Sequence, residues 1–206
     1  SYGEEEIKAV EECLRDGWLA GFGPRSIEFE KKISKEFGKK YGVFVNSGSS
    51  ACLLALAVLK LPKGSKIITP ACTFSTTLAP IIQLNLIPVF VDVNLTSYVP
   101  SIKDVINAVT DEVRAIMIPN LIGNKPDWKS LKSELKRIGR EDITIIEDSA
   151  DTISYTEDTD VSTTSFYASH VITAGGSGGM VMFNDEKLRD ICLQFRDWGR
   201  MGDNSE

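Results

Sequence analysis

Four short stretches of this chain carry side chains that could do chemistry, and its only histidine lies in one of them. His170 sits in Ser165-Phe166-Tyr167-Ala168-Ser169-His170-Val171-Ile172-Thr173, followed by Ala174-Gly175-Gly176-Ser177-Gly178-Gly179. An imidazole takes up or releases a proton near neutral pH, so it suits a general acid or base. The glycine run permits unusual backbone angles and close approach to a ligand. A lone histidine beside a flexible turn also reads as a purely structural hydrogen-bonding residue. In Asn46-Ser47-Gly48-Ser49-Ser50-Ala51-Cys52-Leu53, small residues follow a strand and open a helix, where free N–H groups can hold a phosphate. The same residues fit a glycine turn with Ser50 as a plain N-cap. In Thr69-Pro70-Ala71-Cys72-Thr73-Phe74-Ser75, Phe74 could stack on a flat heteroaromatic ring or fill a core. In Ile143-Thr144-Ile145-Ile146-Glu147-Asp148-Ser149-Ala150-Asp151, an apolar strand delivers two carboxylates at its carboxyl end, where ligands bind in open α/β sheets. A carboxylate there can pair with a protonated pyridine nitrogen, or it can simply be a solvated strand end.

The elements that must position these stretches alternate between two periods. Ile7, Val10 and Leu14 mark one helix face, and Ile27, Phe29, Ile33 and Phe37 another. Strand-type apolar runs fall at 42–45, 66–69, 87–91, 113–118, 143–147 and 180–183. Helix-type segments fall between most of them, at 50–59, 75–84, 102–108, 128–137 and 185–196. This alternation predicts an α/β fold: three layers, α/β/α, around a mostly parallel sheet. Pro70, Pro88, Pro100, Pro119 and Pro126 punctuate strand ends and loops.

Composition narrows the function. The 206 residues are 42% hydrophobic and 25% charged, ordinary for a globular chain. Lys+Arg 23 against Asp+Glu 29 gives a net charge of −6 with no basic tract, which argues against nucleic acid or an anionic membrane as partner. Cys13, Cys52, Cys72 and Cys192 form no close pair, so neither a zinc ribbon nor a CxxC redox site is encoded; no metal site is expected. Scattered cysteines fit a reducing cytoplasm. No apolar run is long enough to span a bilayer. The first strand–helix turn lacks GxGxxG, which sets a Rossmann dehydrogenase aside.

Taken together and in this order, the four stretches resemble the fold type I, pyridoxal-phosphate (PLP) dependent sugar aminotransferases, the DegT/DnrJ/StrS group. Gly17-Trp18-Leu19 with Gly23-Pro24 and Phe29-Glu30, and Pro88-Val89-Phe90-Val91-Asp92, are similar to that family as well. The resemblance implies that residues 1–206 form the large cofactor-binding domain. It also implies a homodimer sharing its active sites and a smaller C-terminal domain beyond this stretch. Ser1-Tyr2-Gly3, close to a helix start, and the polar 200–206 read as the ends of a fragment. By the resemblance, Gly48, Ser49 and Ser50 form a phosphate cup and Ser165 helps bind the phosphate. Phe74 stacks on the pyridine ring, Asp148 faces its nitrogen, and Asp151 belongs to the cofactor's surroundings. His170 falls on the lysine that forms a Schiff base with PLP in these enzymes.

Two positions depart from most of the family: His170, and Asp151 in place of glutamine. Glu147-Asp148-Ser149-Ala150-Asp151 with histidine for lysine is similar to the nucleotide-sugar 3-dehydrases, a small branch of the group. That branch implies pyridoxamine phosphate (PMP) as working cofactor and a nucleotide-diphospho-4-keto-6-deoxysugar as substrate. His170 would be the acid–base that drives loss of the 3-hydroxyl, in deoxysugar biosynthesis for a surface polysaccharide. Phe195-Arg196-Asp197-Trp198-Gly199-Arg200 resembles CDP-sugar members, which follow it with a cysteine-rich segment for an iron–sulfur (2Fe–2S) cluster. Here Met201-Gly202-Asp203-Asn204 follows, without cysteine. This favours a cluster-free course, recharged by glutamate, over one fed by a reductase. A PLP-dependent nucleotide-sugar aminotransferase would need another lysine, and none lies between Lys136 and Lys187. A cofactor-binding homologue without catalysis is the remaining alternative.

Overall fold

The computed structural model describes residues 2–17 and 23–200. Residues Trp18 and Leu19 of the opening motif, and Met201 to Asn204, lie outside the described residues. The chain forms α1 (Glu4–Arg15), α2 (Pro24–Glu36), β1 (Tyr41–Val45), α3 (Gly48–Ala57), β2 (Lys66–Pro70) and α4 (Ser75–Gln83). It continues with β3 (Ile87–Val91), α5 (Ile102–Asn107), β4 (Val113–Pro119), a 3₁₀ turn (Leu121–Gly123), α6 (Trp128–Arg137) and β5 (Thr144–Asp148). β6 (Val161–Ser165), β7 (Gly179–Phe183) and α7 (Glu186–Arg196) complete it. Local chemistry sets several boundaries. Pro24 follows Gly23 at the start of α2, where its missing N–H costs nothing. Ser101 and Asp127 cap α5 and α6 by accepting from the N–H groups of Asp104 and Ser130.

The seven strands lie in the order β1-β7-β6-β5-β4-β2-β3. β2, β3, β4, β5 and β6 pair in parallel, and β7 pairs antiparallel with both β6 and β1. β7 alone therefore runs against the others, and β1 shares their direction. The expected α/β, mostly parallel sheet covered on both faces is what forms. Because strand side chains alternate, β1, β2, β4, β5 and β7 each feed two cores. Ile67, Met117, Ile146, Val161 and Val181 pack beneath α3, α4 and α7. Ile68, Ile116, Ile118 and Ile145 pack beneath α5 and α6, and Met180 and Met182 beneath α2.

Three details differ from the sequence reading. The helix expected over 50–59 begins at Gly48, and Ser47, not Ser50, caps it: extended Ser47 accepts from Ser50 N–H at 3.1 Å. β6 was not anticipated, since Val161-Ser162-Thr163-Thr164-Ser165 lacks an apolar run, yet every residue in it is buried. α1 forms, but it buries none of its residues, and Ile7, Val10 and Leu14 are each more than half exposed.

Candidate active site

Every stretch singled out from the sequence reaches one edge of the sheet, the carboxyl ends of the strands that run together. Gly48 follows β1, Phe74 follows β2, Asp148 ends β5, and Ser165 ends β6 with His170 in the loop beyond it. This is the edge at which open α/β sheets bind ligands.

Gly48, Ser49 and Ser50 form the first turn of α3, where helix geometry leaves backbone N–H groups without intrahelical acceptors. That turn carries no acidic residue, so nothing offsets the partial positive charge of the helix start. Gly48 is pressed against β6: a Cβ there would come within 2.7 Å of Ser165 Cβ. Only glycine allows this approach, and it brings two of the predicted phosphate-binding positions together. Ser165 is nearly buried, and its Oγ accepts from Tyr167 N–H at 3.3 Å.

The paired carboxylates at the end of β5 part company. Alternation sends Asp148 to the α3/α4 side, with Ile146, and Glu147 to the opposite side, with Ile145. Asp148 is buried. Its Oδ2 accepts from Thr77 Oγ at 2.8 Å and its Oδ1 from Thr163 Oγ at 3.3 Å. Burial pushes its carboxyl above the ordinary value of 3.8, while Thr77, Cys52 and Thr163 pull it back. Cys52, 3.5 Å from Thr163 Oγ, has its thiol raised well above 9.0 by burial and by the charge of Asp148. It is therefore a protonated thiol, not a nucleophile.

Glu147 is fully buried among donors. Asn120 Nδ2 at 3.0 Å, Ser162 Oγ at 2.6 Å and Thr159 Oγ at 3.2 Å all donate to it. Lys39, also buried, donates to Thr159 Oγ at 3.0 Å and to the Thr156 carbonyl. Burial depresses the Lys39 ammonium, and the charges of Glu147 and Asp160 oppose that.

Phe74 is 65% exposed, so it is not a core residue and leaves a ring face free at this edge. Asp151 is exposed, with Oδ2 accepting from Ile122 N–H at 3.1 Å. The loop that carries His170 folds back on itself: Phe166 N–H donates to Gly178 O at 2.8 Å, and Ala174 N–H donates to Phe166 O at 3.2 Å. Gly178 makes this possible with φ 142°, a backbone conformation open mainly to glycine. His170 N–H donates to Tyr167 O at 3.0 Å, and its ring meets Tyr167 edge-on at 5.9 Å. His170 Nδ1 is buried without a hydrogen-bond partner, as are the hydroxyls of Thr69 and Thr73 at the end of β2 and just beyond. Buried polar atoms are rarely left so, and three at one edge fit a polar ligand received there. Arg196, from the run that resembles CDP-sugar enzymes, instead donates to Glu30 Oε1 at 2.9 Å and Phe44 O at 3.0 Å, tying α7 to α2 and β1.

The residues that sequence reading missed are Thr77, Thr163 and Cys52. They come from three elements, and no local motif joins them. β-branched Thr163 within an unnoticed strand was the one available signal.

Residues 1–206 match the model of the DegT/DnrJ/EryC1/StrS aminotransferase family from end to end, and the chain belongs to that family. It is 38% identical to lipopolysaccharide biosynthesis protein RfbH of Salmonella typhimurium, over 96% of this chain and 48% of that protein. It is 30% identical to GDP-perosamine synthase of Escherichia coli O157:H7, over 95% of this chain and 54% of that protein. Among solved structures, the E. coli GDP-4-keto-6-deoxy-D-mannose-3-dehydratase with bound hydrated PLP superposes with a TM-score of 0.83 at 32% identity, covering 94% of this chain and 52% of that one. The chain spans about half the length of the curated relatives it matches.

Proposed function

We propose that this chain is the cofactor-binding large domain of a PMP-dependent nucleotide-sugar 3-dehydrase, a lyase-type enzyme of deoxysugar biosynthesis. The observation that carries the reading is His170, with its unpartnered buried Nδ1, where the family's aminotransferases have lysine. The residues at the sheet edge fit PMP. Asp148 is a buried carboxylate held by neutral hydroxyls, an environment that a protonated ring nitrogen would complete. The N–H groups of Gly48, Ser49 and Ser50, with the Ser165 hydroxyl, would hold the phosphate. Phe74 would cover the ring. Asp151 would stand beside it with one oxygen engaged by Ile122.

Bound PMP supplies an amine to condense with the 4-keto group and a ring that accepts electrons. The protein's part is proton handling and alignment. His170 would be the acid–base beside the bound cofactor, taking up a proton as the reaction begins and returning one to the 3-hydroxyl as it leaves as water. Asp148 would keep the ring nitrogen protonated. With no lysine between Lys136 and Lys187, no covalent link competes with PMP. The substrate is a nucleotide-diphospho-4-keto-6-deoxyhexose, as the dehydratase relative's name supports. Glutamate is the proposed amino donor for recharging. A cytoplasmic homodimer with shared active sites is the proposed assembly. Transamination, the activity of the family's aminotransferases, is the second reading, favoured by the similarity to perosamine synthase.

Titration of the full-length protein with PMP, then with a GDP- or CDP-4-keto-6-deoxyhexose, tests this. Saturable PMP binding and loss of the sugar 3-hydroxyl are expected, with His170→Asn keeping the first and losing the second. A lysine adduct trapped by borohydride, with amino transfer to the sugar, would restore the aminotransferase.

A further inference from the structure

We infer that Thr77 is a positioning residue for Asp148, fixing the carboxylate that sets the protonation of the cofactor ring nitrogen. The inference rests on the proposed PMP reading and adds a residue that neither the motifs nor the relatives' names point to.

The geometry is specific. Thr77 is fully buried in the first turn of α4, and its backbone N–H is already bound to Phe74 O at 3.0 Å. Its hydroxyl therefore comes from a fixed backbone and donates to Asp148 Oδ2 at 2.8 Å. Thr163 makes the longer contact to the other oxygen, at 3.3 Å. Among the described residues no cation pairs with Asp148, so neutral donors hold its charge in a buried setting: these two hydroxyls, the Cys52 thiol and the Ala150 N–H, with Thr77 the strongest of them. The same α4 turn begins after Phe74, so one helix start aims the stacking ring and the hydroxyl that orients the carboxylate. A carboxylate stripped of a donor becomes more basic and draws the shared proton from the ring nitrogen. The ring then accepts electrons less readily.

The test is nitrogen-15 NMR of PMP labelled at the ring nitrogen, bound to the full-length protein. It is run for wild type, Thr77→Val, Thr77→Ser, Thr163→Val and Asp148→Asn. Thr77→Val is expected to move the resonance toward the neutral pyridine position and weaken PMP binding roughly tenfold, the worth of one hydrogen bond to a charged group. Thr77→Ser is expected to restore both. Thr163→Val is expected to shift the resonance the same way but less, and it answers the question if Thr77→Val fails to fold. A resonance unmoved by Thr77→Val but lost to the neutral position in Asp148→Asn would overturn the role of Thr77 and leave the PMP reading intact. A wild-type protein that binds no PMP, or one indifferent to Asp148→Asn, would overturn the reading and this inference with it.

Discussion

Glu147 and Asp148 are chain neighbours, both buried at the end of one strand, and they live in opposite surroundings. Glu147 is held by three donors on the side away from α3 and α4, with an ammonium, Lys39, one hydroxyl further on. Asp148 has two hydroxyls, one of them at a long distance, and a carboxyl pushed upward by burial. One carboxylate is finished by the fold and holds it together. The other is held by neutral donors alone, the Thr77 and Thr163 hydroxyls, the Cys52 thiol and the Ala150 N–H, with no ion pair to it among the described residues. A strand end with two acids thus places its charges in two different environments by the alternation of side chains alone.

The sharpest way to break this comparison is to remove each carboxylate. Glu147→Ala should cost about 3–5 kcal/mol in urea unfolding, because it leaves three donors buried without their acceptor and removes the charge that opposes the depression of the buried Lys39 ammonium. Asp148→Asn should leave stability within about 1 kcal/mol of wild type, or raise it, since a poorly compensated buried charge is lost. PMP affinity should fall in that variant by roughly a hundredfold or more, the cost of removing one partner of a buried charged pair. If Asp148→Asn destabilises as much as Glu147→Ala, the distinction fails.

The smallest effect lies in the pH dependence of the cofactor-free protein. The Asp148 carboxyl is raised in the native state above its ordinary 3.8. Between those two values the native protein keeps a proton that the unfolded chain has released, so stability falls as pH rises. Glu30, also raised by burial, acts in the same direction from its ordinary 4.5. Asp148→Asn should flatten the decline without abolishing it, read from urea midpoints across the acid range. A slope identical to wild type would mean that Asp148 is not strained by burial.

Most of the framework was legible because its strands are apolar runs bounded by proline, glycine and acidic ends. Asp148 was legible through the same logic. β6 was not, because hydroxyl side chains satisfied by neighbouring strands and carboxylates do not register as a core pattern: Ser162 serves Glu147, Thr163 serves Asp148, and Thr164 donates to Ser149 O. The alternative reading of Ser50 as a plain N-cap missed by one turn, since Ser47 is the cap. Ser47 takes extended angles, and the chain turns into helix immediately after it. Phe74 was ambiguous from its type alone, and its exposure resolves it against a core role. The Thr77–Asp148–Thr163 contact joins α4, β5 and β6, and only tertiary packing reveals it.

The place of β7 between β6 and β1 has a consequence for synthesis. Tyr41 pairs with Phe183 and Val45 with Gly179, so β1 has no neighbour in the sheet until β7 exists. On the ribosome, this apolar strand would emerge well before its partner and wait through translation of the whole intervening chain, a long-range pairing of the kind that slows folding and exposes edges to aggregation. The site edge inherits that delay. The turn from β1 into α3, where Gly48 meets Ser165, can lock only after β7, made long after β1, has closed the gap.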